Sequence, residues 1–241
     1  MASPTRPRDT TPTARSEAGT PATAPRNEVA EFLAEIRRMA PTAGARGRLV
    51  FSLDATMSRQ PTWDTAMALQ SGMFDEAAKV GSLDVQLVYY RGFGECRASK
   101  WVGNAAALRD LMTGIDVRAG KTQIGKLLAH ARSETQKQRV QAMVFIGDAF
   151  EEAVDSVADR AGKLGLLGVP VFVFQEGRDP SVERAFREIA RLTKGAYARF
   201  DRSSARELAA LLRAVATFAA GGRKALAAGG DKAQLLLEQL R

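Results

Sequence analysis

The sequence is poor in the residues that usually do metal, redox and nucleophilic chemistry. Cys96 is its one cysteine and His130 its one histidine. A lone thiol cannot close an intramolecular disulfide, which fits a reducing compartment such as the cytoplasm. The chain cannot build a zinc cage from Cys and His ligands. A Ser-His-Asp triad would have to recruit His130. That residue falls within the helical stretch "LLAHARSE" rather than on a strand-end loop, so it reads as a surface or partly packed helix residue. Long apolar runs are missing as well. No stretch approaches the ~20 residues that cross a bilayer, so no membrane span is expected. The N-terminal residues lack an apolar core segment, so no secretory signal is expected. Asp9, Glu17 and repeated prolines argue against an import helix, despite Arg6, Arg8, Arg15 and Arg26.

What remains is a chain of 241 residues with 45% hydrophobic content, enough for one α/β domain with tails. Its net charge of +8 permits contact with nucleic acid or an anionic surface but does not bear on fold. Residues 1–27 hold five of the nine prolines and no aromatic residue. They cannot bury enough apolar surface to offset their ordering entropy and are expected to be disordered. A helix and linker are expected over 28–45, with Val29, Phe32, Leu33, Ile36 and Met39 on one face. Residues 46–218 alternate strand and helix. "RLVFSLD", "DVQLVYYR", "RVQAMVFIG", "VPVFVFQ" and "AYARF" read as strands. "GFGE" reads as a turn from which "CRASKWV" returns as an antiparallel edge strand. Helices are expected over Met67 to Val80, in "NAAALRDLM" with Asn104 as N-cap, and in "TQIGKLLAHARSETQKQ". Further helices are expected in "EEAVDSVADRAGKLGLL" with Val154, Val157, Ala158, Ala161 and Leu164 inward, in "DPSVERAFREIARLTKG", and in "SARELAALLRAVATF". Residues 219–241 read as a Gly-rich flexible linker, "AAGGRKALAAGGDK", and a short helix, "AQLLLEQL". The implied fold class is α/β: a Rossmann-like, doubly wound, mostly parallel sheet with one antiparallel edge strand and helices on both faces.

In such sheets ligands bind outside the carboxyl ends of the strands. The first strand ends in Asp54-Ala55-Thr56-Met57-Ser58, three oxygen-bearing side chains at alternate positions that face one way in an extended loop. The strand "QAMVFIG" ends in Asp148, and the loop "RAGKTQIG" sets Thr122 just before a helix. Two carboxylates and three hydroxyls form an oxygen-only donor set, which suits a hard cation such as Mg²⁺, Ca²⁺ or Mn²⁺. Two charges do not fully neutralise a divalent ion, which would then attract an outside carboxylate or phosphate.

This pattern resembles the metal-ion-dependent adhesion site (MIDAS) of von Willebrand factor type A domains, Asp-x-Ser-x-Ser with a distant Thr and a distant Asp. The resemblance covers about residues 46–218. It implies that Thr56, Ser58 and Thr122 bind Mg²⁺ directly, and that Asp54 and Asp148 act mainly through water. Thr56 stands where the family has Ser and keeps the oxygen while adding a methyl group. The resemblance also implies a partner protein whose Asp or Glu completes the metal shell. The expected function is therefore an adaptor or scaffold rather than an enzyme. The abundant Ala and Arg point to a high-GC bacterial source.

Competing readings have identifiable weaknesses. Thr56 and Ser58 would serve as helix caps, and Asp148 as a cap near Glu151, if each stood alone. "GIDVRAGKT" has five residues between its glycines where a P-loop has four, and it follows a helix rather than a strand. A haloacid dehalogenase-like phosphatase needs a second Asp two residues after the first, where this chain has Thr56; a hydroxyl is no general acid near neutral pH. Nucleic-acid binding would use Arg184, Arg187, Arg191 and Lys194 on one helix face. Glu183 and Glu188 partly offset them, and no aromatic residue interleaves them to stack on bases.

Overall fold

The structure, a computed structural model, describes residues 47–56, 82–200 and 205–228, together with helical positions 31, 64, 68 and 72–75. The expected N-terminal tail, the helix over 28–45, most of the helix over 67–80, Ser58 and the C-terminal "AQLLLEQL" lie outside the described residues.

Six strands form one sheet: β1 (Gly47–Asp54), β2 (Leu83–Arg91), β3 (Glu95–Val102), β4 (Ala142–Gly147), β5 (Val171–Glu176) and β6 (Ala196–Phe200). Their spatial order is β3-β2-β1-β4-β5-β6. All pairs are parallel except β2 with β3, the antiparallel edge hairpin that the sequence led us to expect. β1 is a central strand, and all eight of its residues are buried. This is why "GRLVFSLD" reads as a nearly continuous apolar run rather than an alternating one.

Five helices cover the sheet: α1 (Ala105–Thr113), α2 (Ile124–Lys137), α3 (Val154–Leu166), α4 (Pro180–Thr193) and α5 (Ala205–Ala228). Odd positions of β1, Leu49, Phe51 and Leu53, face a core layer with Leu108 and Met112 of α1 and Leu211, Val215 and Phe218 of α5. On the other face Val50, Tyr90 and Phe145 pack with Leu127 and Leu128 of α2, Val157 and Leu164 of α3 and Phe186 and Ile189 of α4. Asn104 caps α1 as expected, accepting the Ala107 N–H at 2.8 Å. Asp179 caps α4 ahead of Pro180, and Lys194 ends that helix in the left-handed region at φ 54°. Among the described residues no helix is long and apolar enough to cross a membrane.

Three expectations need correction. The helix expected from "EE" starts at Val154, and Glu151 and Glu152 lie outside it. Val154 does not face inward but is 53% exposed, at the first position of α3. The stretch after residue 218 is not a linker at its start, since α5 runs on through Gly221 and Gly222 to Ala228. Packing outweighs the helix penalty of about 1 kcal/mol per glycine. Gly47 lets α5 approach so closely that a Cβ there would overlap the Ala219 carbonyl.

Gly195 makes a similar close approach, where a Cβ would fall on the Val171 carbonyl at the start of β5. Gly195→Ala is expected to cost about 1–3 kcal/mol by overpacking. Urea unfolding should show a lower midpoint at unchanged slope; an unchanged midpoint would mean that the β5–β6 edge yields freely.

Candidate functional site

β1 delivers Asp54 to the carboxyl end of the sheet in a side chain only 3% exposed. Its Oδ1 accepts the Thr56 N–H at 2.8 Å, which turns the chain immediately after the strand. Its Oδ2 accepts the Tyr90 hydroxyl at 2.9 Å. The parallel register sets Asp54 opposite Tyr90 on β2, so both side chains leave the same face of the sheet. Tyr90 is fully buried. Burial, with the neighbouring Asp54 charge, pushes its phenol well above its ordinary range, so it stays a proton donor to the carboxylate. Burial also raises the Asp54 carboxyl. Hydrogen bonds from Thr56 and Tyr90 counter this in part, and the charge of Asp148 adds to the rise.

Asp148 follows β4, the other neighbour of β1. It is half-buried, with its Oδ1 atom shielded from solvent. Thr122 arrives from the loop before α2 and is buried. Its Oγ1 accepts the Glu151 N–H at 2.9 Å, while its own N–H donates to Glu151 Oε2 at 3.0 Å. The Glu152 carboxylate takes the next two free amides of the helix, Ile124 N–H at 2.5 Å and Gly125 N–H at 3.0 Å. Two carboxylates from the loop after β4 therefore cap the positive end of α2, an end with no acidic residue of its own.

The same loop is fixed on its other side. Arg118 N–H donates to the Ala55 carbonyl, and Lys121 N–H to the Gly92 carbonyl of the β2–β3 hairpin, both at 3.1 Å. Gly120 lies so close to Gly92 that a Cβ would not fit.

The structure thus brings Asp54, Thr56, Thr122 and Asp148 to one end of the sheet, on the tips of adjacent strands and the loop beside them. Ser58 lies outside the described residues. Sequence reasoning missed Tyr90, Glu151 and Glu152. The two glutamates read as the start of their own helix, when they cap another. Nothing local marks Tyr90, because its role depends on strand register.

Among the described residues no group of three or more His, Cys, Asp or Glu side chains is arranged to hold a metal. The donors gathered here are two carboxylates with hydroxyls. His130 sits on α2, its Nε2 2.8 Å from Gln86 Oε1, and burial pushes its pKa down. The basic face of α4 is partly paired: Arg187 bonds Glu183 at 2.8 Å and stacks over Tyr197, and Arg191 bonds Glu188 at 2.7 Å. That pairing leaves less free charge for phosphates than the sequence suggested.

No family model and no curated protein matches the chain. Solved structures do. One is a von Willebrand factor type A protein from Catenulispora acidiphila, at TM-score 0.58 and 15% identity over 75% of this chain and 44% of that one. Another is proximal thread matrix protein 1 from the mussel byssus with a zinc-occupied MIDAS motif, at TM-score 0.57 and 14% identity over 73% of this chain and 48% of that one. A third is the SpRpn10 VWA domain, at TM-score 0.52 and 13% identity, where the match covers 73% of this chain and 97% of that one. This chain spans less than half the length of the first two. It has the von Willebrand factor type A fold.

The raised Asp54 carboxyl has a consequence for stability. Folded Asp54 holds its proton to higher pH than the ordinary value of 3.8. As pH rises from there through the folded value, the unfolded chain has released this proton and the native chain has not. The metal-free protein therefore loses stability across that window and keeps the deficit at neutral pH. Asp54→Asn should raise the Tm of metal-free protein at pH 7, by about 2–4 °C for each kcal/mol recovered. The gain should vanish below pH 3.8. A lower Tm for the variant at pH 7 would show that the bonds from Thr56 and Tyr90 outweigh the cost of burial.

Proposed function

We propose that this protein is a metal-dependent protein-binding module without catalysis of its own, acting in the cytoplasm as an adaptor or scaffold. The reading rests on the convergence of Asp54 and Asp148 at neighbouring strand tips, where burial chiefly, and the Asp148 charge in addition, raise the Asp54 carboxyl. A buried carboxylate whose ionisation is disfavoured, as that of Asp54 is, gains from a cation. The residues fit a hard divalent ion. Asp54 accepts hydrogen bonds from the Thr56 amide, the Thr56 side chain and the Tyr90 hydroxyl, which leaves part of the capacity of its two oxygens for contact through water. Thr122 Oγ1 accepts one N–H and likewise keeps a lone pair. Thr56, Ser58 and Thr122 would be direct ligands, with Asp54 and Asp148 orienting waters. Mg²⁺ is the proposed ion, with Mn²⁺ or Ca²⁺ able to replace it. When bound, the ion supplies an electrophilic position that an Asp or Glu of a partner protein completes.

The protein's own residues prepare that position. Tyr90 holds Asp54 by one oxygen and fixes its plane. Glu151 orients the Thr122 hydroxyl through its backbone amide. Glu152 neutralises the α2 terminus, which would otherwise compete with a cation for the same carboxylates. The mussel protein with its zinc-occupied MIDAS motif supports a divalent ion at this place in the fold.

Titration of Mg²⁺ and Mn²⁺ into metal-stripped protein tests the reading. Binding of about one equivalent is expected, in keeping with a single octahedral site. It should be lost in Asp54→Ala, Asp148→Ala and Ser58→Ala. Tyr90→Phe should weaken it about 10-fold, as loss of a group that orients a ligand does. Absence of heat with both ions, or binding unchanged in Asp54→Ala, would overturn the metal site.

A further inference from the structure

We propose that Phe93, at the tip of the β2–β3 hairpin, is the apolar anchor of a partner-docking surface beside this site, and that the surface fits an acidic protein segment carrying large apolar side chains. The proposal extends the protein-binding reading above by naming the contact that would set partner choice.

Phe93 is 82% exposed. It stands three residues past Tyr90, at the same end of the sheet as Asp54, because β1 and β2 run parallel with Asp54 opposite Tyr90. Its neighbours are Gly92, in the left-handed region at φ 60°, and Gly94. A tight turn needs the glycine but has no use for a phenyl ring. Val154, 53% exposed, begins α3 at this same end. The first turn of α2 lies between the two, tied to the hairpin on one side and to Glu151 and Glu152 on the other.

The hairpin tip is held unusually firmly for an exposed loop. Gln123 Nε2 donates to the Arg91 and Gly92 carbonyls at 3.3 and 3.2 Å. Lys126 Nζ donates to the Gly94 carbonyl at 2.8 Å, and Lys121 N–H to Gly92. Arg91 forks onto both oxygens of Glu95 at 3.0 Å and reaches the Asp116 carbonyl at 2.6 Å. The ring is therefore presented on an ordered platform, and a partner has little backbone entropy to remove on binding. Exposed, preorganised aromatic side chains are the usual energetic centres of interfaces.

Charge selects the occupant. Arg118, Lys121 and Lys126 are all exposed on the loop and helix turn beside the hairpin, whereas the exposed Arg97 of β3 is paired with Glu95 at 3.3 Å. An apolar knob among cations complements an apolar surface carrying carboxylates. The same acidic segment would supply the carboxylate that the metal site calls for.

The test is selection of short random peptides displayed on phage against the full chain in Mg²⁺. Enriched peptides are expected to combine Asp or Glu with Leu, Phe or Trp. Their affinity should fall about 10-fold or more in Phe93→Ala, as for an interface anchor, and several-fold in Arg118→Glu or Lys121→Glu, with an unchanged Tm for all three. Peptides lost with chelator yet indifferent to Phe93→Ala would overturn the anchor and leave the metal reading standing. Peptides that depend on Phe93 but ignore chelator would support the anchor and sink the metal bridge. Failure to enrich acidic–apolar peptides, together with Phe93-dependent binding of a single-stranded oligonucleotide, would overturn the proposal in favour of a nucleic-acid surface.

Discussion

The register of β1 between β2 and β4 is the constraint on which the rest depends. It sets Asp54 opposite Tyr90 on one side, and β4 carries Asp148 out on the other. A one-residue slip would turn Asp54 to the opposite face and put the Leu53 side chain in its place. That slip is opposed along the whole strand, since Leu49, Phe51 and Leu53 would have to leave the layer shared with α1 and α5. The burial that fixes the fold therefore also fixes the carboxylate. The cost is a charged group held where water cannot reach it well, which the bonds from Thr56 and Tyr90 reduce without abolishing.

A second layer of order comes from carboxylates that serve as structural caps. Glu151 and Glu152 join the loop after β4 to the start of α2, and Gln123 and Lys126 join that same helix turn to the hairpin. Three loops that in isolation would move independently are thereby tied to one helix end. An exposed Phe93 and a buried Thr122 thus belong to one rigid unit, so a partner touching the hairpin would meet a surface continuous with the candidate metal site.

The opposite end of the sheet carries charge for a different purpose. Arg48 is buried on β1, stacks over Trp101 and lies 3.5 Å from Glu134 of α2, which also accepts the Trp101 indole N–H. Burial pulls the Arg48 pKa down, and Glu134 opposes that pull. A buried pair of this kind contributes little net stability but is costly to break on one side only. It fixes α2 against β1 and β3 at the end remote from Asp54, so α2 is held at both ends by charge.

The sequence by itself determined the succession of strands and helices, the edge hairpin, and the positions of Asp54, Thr56, Thr122 and Asp148 at element ends. Those features are local: apolar runs, their period, and the polar residues that end them. Only the tertiary structure decided that Tyr90 donates to Asp54, 36 residues away. It also decided that Glu151 and Glu152 cap α2 across separations of 27 to 29 residues. The close approach of α5 to β1 at Ala219 and Ala220 likewise depends on Gly47, which is far away in sequence. Hydrogen-bond partners and close approaches of that kind are set by register and packing between distant segments. Composition and periodicity report only on what a residue's immediate neighbours require.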